Sequence, residues 1–269
     1  MEKAAADAKS RGESQESISY LEQLYKRNSS DPSAALKYAH ALREQGYYTR
    51  AELVLKPFAT QDSVKDAGLV TEYASIEAAM GNYIDAEDAA RKAVLLDPKR
   101  GQAYHVLGIA LDAQGHHEQA QVALQKALDH WEGNPSAVLN NIGLNLAAQG
   151  FLDEAIETLR KAQDMAPNRK EIERNLRIVS ALQYQPPKEG MRLVPKPPRK
   201  PDHKDSAEAK KAEALKKELD SADAPPPQAE DTEATDAPAP VEEKAEDVEI
   251  REIEVKDVKA VPVPSGRND

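Results

Sequence analysis

The chain has 269 residues, no cysteine, a formal net charge of −11, and only two phenylalanines and one tryptophan. Without cysteine there is no disulfide, no thiolate metal site and no cysteine nucleophile, and no stretch approaches the roughly 20 apolar residues of a membrane-spanning helix. The charge is uneven: residues 222–269 carry 14 acids against five bases, whereas 188–217 carry ten bases against five acids. The low pI therefore belongs mainly to the C-terminal segment and says little about the fold.

Residues 1–11 are alanine-rich, and 4–9 read as the end of a first helix whose start lies upstream. Met1-Glu2-Lys3-Ala4 does not lead into the apolar run of a signal peptide. From there glycines recur at Gly12, Gly46, Gly81, Gly115 and Gly150, at spacings of 34 or 35 residues. Each is expected in the turn of a helical hairpin, where a left-handed residue ends the first helix and glycine does so at least steric cost. Five positions after each glycine stands a small residue, Ser17, Ala51, Ala86, Ala120 or Ala155, which lets the two helices cross closely. Four further on come Leu21, Leu55, Ala90, Leu124 and Leu159, on the same helical face. Leu107-Gly108 reappears as Ile142-Gly143, and Asp31-Pro32, Asp97-Pro98, Asn134-Pro135 and Ala166-Pro167 punctuate the ends of second helices.

This phased self-similarity predicts an all-α tetratricopeptide-repeat (TPR) solenoid, in which each hairpin buries its apolar face only against its neighbours. The array is expected over 1–184: a partial first repeat, hairpins near 32–62, 67–97, 101–132 and 136–166, and a capping helix over 170–184. Pro57 should kink its helix or end it early. His130-Trp131-Glu132-Gly133 lengthens one connection, with Trp131 packing across it. Beyond the array, 185–205 reads as a proline-rich basic linker, 206–220 as a short helix marginal by itself, and 221–269 as an acidic disordered tail. Within that tail 248–263 gathers β-branched residues, read as a solvated segment or, less favoured, as a strand added to a partner's sheet.

The sequence holds no phosphate-binding glycine loop, no nucleophile elbow and no paired-histidine zinc motif. His116-His117 reads as a polar turn rather than a chelate. No catalytic residue, cofactor or metal is expected, and the basic run lacks the interleaved aromatics of a nucleic-acid site. What remains is a surface. In TPR arrays the first helices line a concave groove, and counting inward positions gives Leu36, His40 and Arg43, then Thr71, Glu72 and Ser75. His105, Ile109 and Asp112 follow, then Asn140, Asn141 and Leu144, and finally Arg174, Asn175 and Ile178. Asn141 and Asn175 share one repeat position, where amides can donate to and accept from an extended peptide, or bridge neighbouring helices. The clamp with which some TPR cochaperones hold a terminal carboxylate is not matched, since Leu36, His40, Glu72, Gln102 and Val106 occupy its positions.

The segments LGIALDAQGHHEQAQVAL and NPSAVLNNIGLNLAAQGFLDEAIETLRKA, with the closing NLRIVSAL, resemble the TadD-type TPR proteins of tight-adherence (Flp) pilus assembly, over roughly 32–182. The resemblance implies a periplasmic, usually lipid-anchored factor that helps assemble a secretin or pilus complex through protein partners. This chain has no lipobox cysteine. The alternative is a cytoplasmic adaptor whose charged tail recruits a second partner.

Overall fold

A computed structural model describes residues 1–183 and 207–223. Among these residues there are twelve α-helices and no strand: α1 Glu2–Ser10, α2 Ser14–Arg27, α3 Pro32–Glu44, α4 Tyr48–Ala59, α5 Ala67–Met80, α6 Tyr83–Leu96, α7 Gly101–Ala113, α8 His117–Asp129, α9 Ser136–Ala148, α10 Leu152–Met165, α11 Lys170–Gln183 and α12 Ala207–Asp223.

Local chemistry sets the helix ends. Asp31 and Asp66 cap α3 and α5, accepting from the amides of Ser33 at 2.9 Å and Leu69 at 3.0 Å. Gly46, with φ of +78°, shows how the hairpins turn. Its amide donates to Arg43 O, and that of Tyr47 reaches back to Leu42 O at 2.9 Å, satisfying carbonyls that the helix end leaves open. In α4 the chain stays helical through Pro57 and ends at Ala59. A proline in the last turn costs one backbone bond and leaves most of the helix intact.

Small residues lie where the two helices of each hairpin meet. Ala51, Ala86, Ala120 and Ala155 are fully buried, as are Leu55, Ala90 and Leu159, with Leu124 at 1% exposure. Gly108 and Gly143 face Leu124 and Leu159 so closely that an added Cβ would lie 2.6 and 2.7 Å from the leucine Cγ. Gly101 is equally close-packed but against backbone, since its Cβ would meet the carbonyl oxygen of His130 at 2.7 Å.

First helices contact the first helix of the next repeat along α3, α5, α7, α9 and α11, whereas the second helices α4, α6, α8 and α10 make no such contact with one another. An array whose first helices sit closer together than its second helices must curve with the first helices on its inner side. That curvature creates a groove.

The region expected to hold a marginal helix differs from expectation in one respect. Helix α12 runs three residues beyond residue 220, taking in Asp223, and it packs against α8 and α6 with Ala212, Leu215 and Leu219 buried. Packing of an apolar stripe supplies what propensity alone does not. The linker expected over 185–205 and the tail from 224 onward lie outside the described residues.

Candidate functional site: the face of the first helices

At the N-terminal end of this face an open cleft of about 430 Å3 lies among α1, α2 and α3. Ala5, Leu21 and Ala41 contribute its apolar lining, and Lys3, Lys9, Lys37 and His40 bring basic side chains to it. Lys9 pairs with Glu44 at 2.6 Å and Lys37 with Glu2 at 2.7 Å, so these charges are held across neighbouring helices.

Three of the expected groove residues come together beside it. Arg43 Nε donates to Glu72 Oε1 at 2.6 Å and Nη2 to Oε2 at 3.2 Å, a two-point fork that joins α3 to α5. His40 Nδ1 lies 3.2 Å from the same Oε2, and its Nε2 lies 3.5 Å from Glu44. Burial opposes ionisation of Glu72, yet the hydrogen bonds from His40 and Arg43 prevail and hold its pKa below the usual value. Hydrogen bonding to Glu72 raises that of His40. Thr71 and Ser75 point back into α5, donating to Ala67 O and Thr71 O.

Further along, the amides form a directed relay across three helices. Asn175 Nδ2 donates to Asn140 Oδ1 at 2.9 Å, and Asn140 Nδ2 to Asn141 Oδ1 at 3.2 Å. Asn141 Nδ2 lies 2.7 Å from His105 Nε2. The relay thus runs α11 to α9 to α7, and its last member has to be an imidazole that accepts on Nε2, the neutral form. Burial pushes the His105 pKa down to about 4, in agreement with that role. The imidazole also meets the Trp131 ring edge-on, with centroids 5.3 Å apart, while Trp131 Nε1 donates to Asn134 O at 3.1 Å.

Asp112 belongs to a different arrangement, bracing the α7–α8 turn rather than joining these rows. It lies 2.7 Å from His117 Nδ1 and accepts from Asn145 Nδ2 at 2.6 Å. Asn145 is wholly buried, donates also to His117 O at 3.0 Å, and accepts from Gln149 Nε2 at 2.8 Å. Replacing Asn145 by alanine strands these partners and is expected to cost about 1–3 kcal/mol in urea unfolding. An unchanged midpoint would show the network to be dispensable. Arg174 is exposed and, among the described residues, makes no hydrogen bond or ion pair, and Ile178 beside it is 52% exposed.

The model of the tetratricopeptide-repeat family matches residues 3–61 and 105–170. Solved structures share the architecture. A thermophilic TPR protein of Thermus thermophilus superposes with a TM-score of 0.57 at 17% identity, over 67% of this chain and 97% of that one. A tetratricopeptide repeat protein from Parabacteroides merdae gives 0.54 at 19%, over 66% and 69%. The Cut9–Hcn1 assembly of the APC/C gives 0.59 at 15%, over 65% of this chain and 35% of that one. Residues 1–183 have the fold of a tetratricopeptide-repeat solenoid. No curated protein matches the chain.

Within this TPR array, sequence reasoning passed over the two polar residues that the structure buries most deeply. Asn145 sits in a helix whose polar residues were assigned to the groove. Glu77 falls 35 residues after Leu42 and 34 before Leu111, both wholly buried, yet is itself a carboxylate at 1% exposure. It accepts from Asn82 Nδ2 at 2.7 Å at the α5–α6 turn. The signal was available as a charge in a leucine position followed five residues later by asparagine.

Proposed function

We propose that the chain is a non-enzymatic scaffold that holds an extended segment of a protein partner along the first-helix face. The observation that carries this reading is the cleft among α1, α2 and α3, whose apolar lining and basic side chains continue into His40, Arg43 and Glu72 on the same face. An apolar side chain next to a carboxylate on the partner fits such a cleft. Farther along, Arg174 offers a second cation, and His105, Asn140, Asn141 and Asn175 present a polar row whose amides can exchange an internal bond for one to a peptide backbone. The setting we favour is assembly of a tight-adherence pilus or a secretion complex, supported by the likeness of the segments within 107–182 to TadD-type proteins.

The test is affinity capture with the whole chain as bait. Arg174→Glu combined with Lys37→Glu should reduce recovery of the main partner at least tenfold, while the urea midpoint stays within that of a surface change, about 0.5 kcal/mol. Leu53→Asp, on the second-helix side and 67% exposed, should leave recovery unchanged. Loss with Leu53→Asp and none with the charge reversals would move the site to the other face. Co-purification of secretin or pilus components would support the pilus setting, and their absence among partners lost on charge reversal would remove it.

A further inference from the structure

On the opposite side of the array lies a second surface, already occupied. Helix α12 follows α11 after 23 intervening residues and lies along α8, the same way round. Glu208, at its start, accepts from the Glu118 amide in the first turn of α8 at 3.2 Å, and Asp223, at its end, lies 3.1 Å from His130 Nε2 just past the last turn. A carboxylate at the N-terminus of α8 meets the positive end of that helix.

The chemistry of the two surfaces is complementary. Leu215 and Leu219 share a buried cluster with Ala90, Ala93 and Val94 of α6, Tyr104 of α7, and Ala120, Ala123 and Ala127 of α8. Along the rim, Arg91 faces Glu218 at 3.3 Å, and Lys126 faces Asp220 at 2.8 Å and Asp223 at 3.2 Å. Alanines on α6 and α8 leave a shallow trough of helix width, and the cations stand at its edge. Tyr104 is wholly buried in this cluster and its hydroxyl lacks a hydrogen-bond partner among the described residues, so the present occupant leaves one polar group unsatisfied.

The attachment is poised to exchange. Burying Leu215 and Leu219 favours the contact, but ordering a 17-residue helix offsets much of that gain. The carboxylates of Glu218 and Asp220 are 51% and 50% exposed, and ion pairs that open to solvent hold weakly and loosen with salt.

We propose that the α6/α8 trough is a helix-binding site whose resident ligand is α12, and that a partner helix of the same chemistry exchanges with it. That chemistry is an apolar stripe spaced like Ala212, Leu215 and Leu219, with carboxylates in the last turn. The site is separate from the first-helix groove, so one array engages two partners on opposite faces.

The probe is a fluorescently labelled peptide of residues 206–223, measured by anisotropy against the full-length chain. It should bind a Leu215→Asp/Leu219→Asp chain, whose own α12 cannot seat, at least tenfold more tightly than the unaltered chain. Adding Lys126→Glu should weaken that binding several-fold, and a peptide carrying Asp220→Lys and Asp223→Lys should restore it. Equal binding to both chains, or no effect of Lys126→Glu, would overturn the proposal. A second readout does not depend on the leucine variant. In the unaltered chain, unlabelled peptide at about 1–5 mM, the scale of a tethered ligand's effective concentration, should speed amide exchange in 207–223 while α8 stays protected. Exchange in 207–223 that ignores the peptide would mean α12 is a fixed part of the array. Because Leu215→Asp/Leu219→Asp should leave capture through the first-helix groove intact, failure of either reading is distinguishable from failure of the other.

Discussion

An alanine at position 108 is expected to destabilise the array by about 1–3 kcal/mol, although the same exchange on an exposed helix stabilises by roughly 1 kcal/mol. The added Cβ would sit 2.6 Å from Leu124 Cγ and 2.7 Å from Cδ2, with the Ala120 carbonyl oxygen at 3.3 Å. Leu124 is 1% exposed and cannot swing aside without displacing its neighbours. Removing that leucine instead, by Leu124→Ala, leaves a void and should cost about 2–5 kcal/mol. Combined, the two changes should cost less than their sum by at least about 1 kcal/mol, since the new methyl fills part of the space the leucine vacates. Urea unfolding followed by circular dichroism reads all three. Simple additivity would mean that α7 and α8 do not meet at Gly108. The pair Gly143 and Leu159, one repeat later, should behave alike.

Acid is expected to loosen the C-terminal half of the array through His105. With its folded pKa lowered to about 4 from 6.5, the unfolded chain binds a proton that the folded chain refuses. Stability is therefore complete above pH 6.5 and declines as pH falls toward 4, by something of order 2 kcal/mol once the partial exposure of the ring is allowed for. Protonated Nε2 would face the Asn141 amide donor to donor, breaking the relay to Asn140 and Asn175 at its last bond. His105→Gln keeps an acceptor and removes the titration, so its stability should change less between pH 6.5 and 4 than that of the unaltered chain. His40 titrates in the opposite sense. Its raised pKa gives stability that is full below 6.5 and fades as pH rises through the folded value, and it is present in both proteins of the comparison. Parallel pH profiles for the two would remove His105 from the account.

The all-α solenoid was legible because one geometric demand recurs in phase. A hairpin needs a left-handed residue and a close helix crossing, and glycine and alanine meet those needs at nearly every repeat. Side-chain direction in the groove was less legible. Inward counting brings Asp112 to the groove, but its carboxylate turns to the α7–α8 turn because His117 and the buried Asn145 reach it there. Counting likewise puts Asn141 and Asn175 at one repeat position, open to a peptide or to a bridge between helices, but does not reveal that Asn140 makes the bond to Asn175 of the next helix, at 2.9 Å, and hands it on to Asn141 within α9 at 3.2 Å. Helix α12 was hardest to read. Its few apolar residues look too sparse for a stable helix until the alanine-lined trough on α6 and α8 supplies the other half of the contact.

The central claim is that a partner lies along the first helices. The direct measurement is photocrosslinking from single positions of the full-length chain, with the probe at His40, Arg174 or Ile178 on that face and at Leu53 or Leu95 on the second helices. Leu53 and Leu95 are 67% and 66% exposed, so access does not bias the comparison against them. The account predicts one partner joined from His40, Arg174 and Ile178 and absent from Leu53 and Leu95. The same partner joined from Leu53 and Leu95, with none from the first-helix positions, would contradict it.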